Sequence, residues 1–134
     1  MDAIESAGYR CDARNLELNS YENRVYQIGI EDSEPVIAKF YRPDRWSREQ
    51  IKEEHDFTIE LKDHGLSVVA PLAINDKTCF QYDGFNIAIF PRRGGRAPAV
   101  DDLGCLEVLG RFIGRLHAVG ASDRFSYRPT ISIE

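Results

Sequence analysis

Apolar residues along the chain alternate, then recur at helical spacing, then alternate again. In RVYQIGI, residues 24–30, Val25, Gln27 and Gly29 share one face of an extended chain, and Tyr26, Ile28 and Ile30 share the other. With the preceding LEL this predicts two strands around NSYEN, followed by a turn at SEP. VIAKFYR is a third strand, apolar enough to lie centrally in a sheet, and Pro43 ends it. SREQIKEEHDFTIELKDHG predicts a helix in which Ser47 is the N-cap, Gln50 completes a capping box and Gly65 closes the C-terminus. LSVVAPLAI and FNIAIFP read as strands, with another short strand in NDKTCFQYDG and a hairpin turn at Asp83-Gly84. After the loop RRGGRAPAV, Asp101 opens a second long helix with Leu103, Leu106, Leu109, Phe112, Ile113 and Leu116 on one stripe. A short helix from Asp2 to about Ala7 precedes all of these and stops at Gly8. The order β-β-β-α-β-β-β-loop-α is an α+β plan built on an antiparallel sheet.

NSYEN carries no glycine and no Asn-Gly pair, the usual residues of a tight two-residue hairpin. An Asx-turn, with Asn19 or Asn23 bonded to its own backbone, is one way to close it.

Composition narrows the function classes. A chain of 134 residues with 43% apolar residues fits one compact domain. A net charge of −5 argues against a nucleic-acid-coating protein. Cys11, Cys79 and Cys105 are widely spaced with no CxxC pair, and His55, His64 and His117 are scattered, so neither a disulfide framework nor a metal cage is expected. No apolar run is long enough to cross a bilayer and the N-terminus lacks a signal-peptide core, which predicts a cytoplasmic protein with no membrane partner.

Two charged residues stand out. Lys39 interrupts the apolar strand VIAKFY, where a buried, unpaired lysine would be costly. It either blunts a sheet edge or faces a site and meets an anion. Advancing about 100° per residue from Ile51 places the apolar stripe of the first long helix, with Phe57, Thr58 and Leu61, near about 290°. Glu54 falls at about 300°, inside that stripe, and Glu53 at about 200°, on its flank. Glu54 therefore needs a partner, and a strand lysine beneath the helix is the economical one. Glu53 reads as a solvated helix charge.

A lysine strand followed by a helix with an inward glutamate, a hairpin and a linker resembles the small lobe of the protein-kinase-like fold. More closely, LNSYENRVYQ, IAKFYRPDRWSREQIKEEHDF, VVAPLA and GRFIGRLHAVG together resemble the bacterial stress-response serine/threonine kinases, within the aminoglycoside-phosphotransferase-like and choline-kinase-like branch of that fold. The resemblance implies that Lys39 holds the ATP phosphates and that Glu54 fixes Lys39. It implies that NSYEN covers the phosphates without a glycine-rich loop, through Ser20 and Asn23 as donors, Tyr21 at the tip and a backbone nest. Glu22 would point to solvent or bond a loop amide. Val25 and Ile37 would roof the adenine pocket and Ile89 would be its gatekeeper. The Phe90 carbonyl and the Arg92 N–H would meet the adenine edge, with Pro91 having no N–H to offer. Arg92, Arg93 and Arg96 read as a solvated basic loop, with contact to an acidic partner as the alternative. His55 and His117 read as packing or helix-terminus residues rather than bases. Trp46 and Tyr41 read as core or lobe-edge aromatics.

The same resemblance divides the chain into a small, ATP-binding lobe over residues 1–93 and, from residue 94 to 134, the hinge exit and the start of a larger lobe. The H-G-D-x-H-x-x-N loop and the following acidic strand that supply the base and the Mg2+ ligands in this branch do not occur in the sequence. The expectation is therefore the N-terminal portion of a kinase, inactive alone, whose remaining lobe covers the last helix. ATP, Mg2+ and a protein hydroxyl are the implied cofactors and substrate. A small-molecule hydroxyl, as for homoserine, choline or aminoglycoside kinases, is the alternative, as is a free-standing binding module.

Overall fold

The computed structural model describes residues 1–18, 20 and 22–131. The elements are α1 (Asp2–Ser6), β1 (Cys11–Leu18), β2 (Arg24–Ile30), β3 (Ser33–Tyr41), α2 (Arg48–Asp63), β4 (Phe80–Tyr82), β5 (Phe85–Pro91) and α3 (Leu103–Gly120). The five strands form one sheet in the order β1-β2-β3-β5-β4, every neighbouring pair antiparallel. β3 is central, as its apolar run requires.

Three local expectations are corrected. SEP belongs to β3, and the turn before it is made by Glu31 and Asp32, with Asp32 at φ 54°. Pro35 is accommodated where the β2–β3 register shifts between Ile28 and Ile30. The cap of α3 is Asp102, not Asp101; its side chain accepts from the Cys105 N–H at 3.1 Å. LSVVAPLAI is not a strand. Its Leu72 N–H donates to the Ile89 carbonyl at 2.7 Å, beside the edge of β5, and Ile74 makes only an isolated bridge to Lys77. β4 pairs only with Phe85, Asn86 and Ile87, so the Leu72 bond lies beyond its end, and Leu72 and Ile74 are held by packing their side chains against the α1-side core rather than by a ladder.

The ends of α2 are set by its sequence. The capping box closes fully: the Gln50 N–H donates to Ser47 Oγ and the Ser47 N–H to Gln50 Oε1. At the other end Gly65, at φ +83°, donates to the Lys62 carbonyl, and Leu66 donates to that of Leu61. This left-handed stop favours a residue without a Cβ. The β4–β5 hairpin turns through Asp83 and Gly84, both at positive φ.

Strand alternation gives the sheet two differently used faces. Val36, Ala38, Ile28, Ile87 and Ile89 lie on one, covered by Ala3 and Ile4 of α1 and by Leu72 and Ile74. Tyr41, Ala88 and Phe90 lie on the other, against Ile51 of α2, Trp46 and Cys79. α2 buries Ile51, His55 and Leu61. No residue of α3 is buried.

Candidate functional site

Lys39 faces the side of the sheet that α2 covers. Register places Val25 and Ala88 directly across from it on β2 and β5, and Gln27 and Phe90 across from Ile37 one row away. Directly opposed residues share a face, so Val25, Ile37, Lys39, Ala88 and Phe90 form one surface.

Glu54 enters this surface from α2. Its Oε1 is 3.6 Å from Lys39 Nζ, and both side chains are partly buried. At that distance the two are an ion pair without a direct hydrogen bond. Lys39 Nζ also stands 4.6 Å over the Tyr41 ring, which adds a cation–π contact. The lysine thus has an electrostatic anchor, remains one-quarter exposed, and among the described residues makes no hydrogen bond that would occupy its donors.

Behind this pair lies a satisfied polar network. His55 is 1% exposed, its Nε2 2.9 Å from Tyr41 Oη and its Nδ1 2.8 Å from Thr78 Oγ1. Burial, aided by the Lys39 charge and opposed by that of Glu54, lowers its pKa and favours neutral imidazole. Burial, and next the nearby Glu54 carboxylate, push the Tyr41 hydroxyl well above its ordinary value. His55 is enclosed, so it supports α2 and does not act as a base. Among the described residues no buried side-chain nitrogen or oxygen lacks a partner.

The loop between β1 and β2 is five residues long, which removes the demand for glycine that a two-residue turn would impose. It is tied to the chain after β3. Asn23 Oδ1 accepts from the Arg42 N–H at 3.1 Å, so Asn23 spends its carbonyl across the hairpin and not on its own backbone. Glu22 is exposed, as expected, and it also pairs with Arg45 at 3.1 Å and accepts from the Trp46 indole at 3.4 Å. Ser20 is exposed. Asn19 and Tyr21 lie outside the described residues.

One further expectation changes. Ile89 faces the α1 side of the sheet, paired with Ala38 and 1% exposed, so it does not stand in the gatekeeper position on the Lys39 face. The period of a strand is two, and a one-residue displacement reverses the side. Phe90 holds the Lys39 face instead and meets His55 edge-on at 6.1 Å. Arg92, Arg93 and Arg96 are exposed in an extended loop.

Glu53 and Arg128 were missed as interacting groups. Glu53 accepts three backbone N–H bonds, from Ser126, from Tyr127 at 2.7 Å and from Arg128 at 3.0 Å. Desolvation raises its carboxyl, but these donors outweigh it and hold the pKa below the ordinary carboxylate value. Arg128 reaches Glu54 Oε2 at 2.5 Å. Nothing periodic marks Arg128 in the sequence; the flank position of Glu53 was the sole local signal.

An antiparallel sheet with a strand lysine met by a glutamate of the adjoining helix defines the small lobe of a protein-kinase-like fold. Residues 16–133 match the model of the APH phosphotransferase enzyme family, and the chain belongs to that family. It is 47% identical over 133 residues to stress response kinase A of Salmonella choleraesuis and 44% identical to that of Escherichia coli. It is 46% identical to the serine/threonine protein kinase RdoA of Salmonella typhimurium. In each case 99% of the chain is aligned, and it spans 40% of the relative's length. The fold is shared with amicoumacin kinase hAmiN, solved with AMP-PNP, Ca2+ and Ami, at a TM-score of 0.77 and 23% identity over 92% of this chain and 40% of that one.

Proposed function

We propose that this chain forms the nucleotide-binding part of a longer ATP-dependent kinase that transfers the γ-phosphate to a hydroxyl of a protein. The observation that carries this reading is the Lys39–Glu54 contact on the covered face of the sheet. Lys39 would hold the α- and β-phosphates and Glu54 would keep its ammonium in place. Val25 and Ile37 would roof the base. Ser20, Tyr21 and Asn23 would stand over the phosphates. Phe90 takes the gatekeeper position that Ile89 does not fill, which moves the hinge contacts from the Phe90 carbonyl and Arg92 N–H to the Pro91 carbonyl and Arg93 N–H.

Among the described residues no group of three His, Cys, Asp or Glu side chains could hold a metal ion. By the kinase resemblance, Mg2+ and the general base would come from the part of the longer protein that this chain does not span, and this portion alone would not transfer phosphate. The division into a small lobe over residues 1–93 and the start of a larger one follows from the same reading. No described helix is long and apolar enough to cross a membrane, which suits a cytoplasmic enzyme. The relative named as a serine/threonine protein kinase favours a protein acceptor. A small-molecule acceptor is the second reading, favoured by the shared fold of amicoumacin kinase.

Lys39→Met in the complete protein tests the site. Phosphotransfer should fall by about a hundredfold or more, since a lost charge-stabilising donor commonly costs that much, while the melting temperature stays near that of the unaltered protein. Undiminished transfer would remove Lys39 from the mechanism.

A further inference from the structure

The segment after α3 turns back onto α2 and is held there by several independent contacts. Three successive N–H groups, those of Ser126, Tyr127 and Arg128, converge on the Glu53 carboxylate. Gln50 Nε2 donates to the Tyr127 carbonyl at 3.0 Å, and Phe125 meets Phe57 edge-on at 5.6 Å. Arg128 is fixed along its whole guanidinium. Its Nε donates to the Gln50 carbonyl at 3.0 Å, its plane lies 4.5 Å from the Trp46 ring, and its Nη2 reaches Glu54 Oε2 at 2.5 Å.

Glu54 is therefore shared. One oxygen faces Lys39 and the other is bound by Arg128. The tighter of the two contacts is the one to Arg128. A glutamate left to itself has many rotamers, and holding one costs entropy. A guanidinium already immobilised by a carbonyl, an aromatic face and its own backbone selects one of them with little further loss.

We infer that Arg128 is a positioning residue, which holds the Glu54 carboxylate in the orientation that meets Lys39 and so ties the nucleotide site to the segment following α3. The inference rests on the kinase reading above. Lys39 would bind phosphate, Glu54 would act on Lys39, and Arg128 would act on Glu54. Glu53, by gripping the backbone of residues 126–128, keeps Arg128 within reach.

The test uses the complete protein that contains this segment, titrated with ATP and Mg2+ for affinity and assayed for phosphotransfer. Arg128→Ala should weaken kcat/KM for ATP by roughly tenfold, the scale of one lost charge-assisted contact. Arg128→Lys should recover part of that loss, because an ammonium supplies the charge but not the stacked fork. Arg128→Gln keeps the stem and a donor without the charge, and serves if the alanine variant does not fold. The deciding measurement repeats the substitution in Glu54→Gln. Positioning through Glu54 predicts that Arg128→Ala then adds less than about twofold, since the two changes remove one interaction. An undiminished additional loss in the Glu54→Gln background, or an effect below twofold alone, overturns the inference and leaves Arg128 structural. Lys39→Met separates the two levels. If it leaves ATP binding and turnover unchanged, the kinase reading fails and this inference with it. If it abolishes them while Arg128 variants do not matter, only this inference fails.

Discussion

Helices α2 and α3 have 16 and 18 residues, and each carries an apolar stripe. They use it differently. α2 is the more polar helix, yet it buries Ile51, Leu61 and even His55 against the sheet. α3 is more apolar and buries nothing: Leu103, Val108 and Ile113 are exposed, and Leu106 and Leu109 are exposed by almost two-fifths. Amphipathic pattern therefore forecasts a helix and the face it offers, but not whether a partner is present to receive it. The helix that does find a partner also carries the site. Its polar groups are bonded on three sides, to β3 through Glu54, to Tyr41 and Thr78 through His55, and to the 125–128 segment through Gln50 and Glu53.

The largest effect that would sharpen this contrast is Ile51→Ala. Ile51 is fully buried, so truncation should cost about 2–5 kcal/mol through lost transfer energy and a residual cavity. Urea denaturation would read this as a lower midpoint at unchanged slope. A loss under about 1 kcal/mol would mean that α2 is not anchored as described.

The next effect is pH dependence. His55 has a folded pKa lowered by burial, so the unfolded chain binds the extra proton first. Stability contributed by neutral His55 is full above the ordinary histidine range near about 6.5 and declines as pH falls through it toward the lowered folded value. The melting temperature should accordingly drop between pH 7.5 and 5.5, and the slope should flatten in His55→Gln. Glu53 acts in a separate, more acidic window, because its lowered pKa gives stability that is lost only as pH falls below the ordinary carboxylate range. An unchanged slope in the His55 variant would show that other groups dominate near neutrality.

The smallest effect is Leu109→Ala. The same kind of truncation on α3 should change the stability of residues 1–134 by no more than about 0.5 kcal/mol, as for exposed positions generally. A loss like that of Ile51 would reveal that α3 is packed in solution, against a second copy or another segment.

The strand that carries Lys39, the helix that carries Glu54, its capping box and its glycine stop are all evident in short windows of sequence. Helical arithmetic also turned Glu54 inward. The reading of LSVVAPLAI as a strand failed because an apolar extended run looks the same whether its backbone joins a ladder or its side chains lie on one. Ile89 lies on the face opposite Lys39, which its sequence alone did not reveal, since parity in a strand is meaningful only after register is known. Glu53 looked like a solvated charge because its partners, the N–H groups of residues 126–128, carry no side-chain signature at all.

Periodicity, caps and turn residues act within one or two turns of backbone, where steric preference and local hydrogen bonds decide, and they were sufficient for most of the elements, though not for LSVVAPLAI, and for the α+β plan. The approach of Lys39 to Glu54 depends on how α2 lies across the sheet, and that of Arg128 to Glu54 on chain 74 residues away turning back to the same helix. Contacts of that kind are set by the packing of whole elements and by the need to satisfy charges once they leave water, so only the folded chain could bring two cations to one carboxylate.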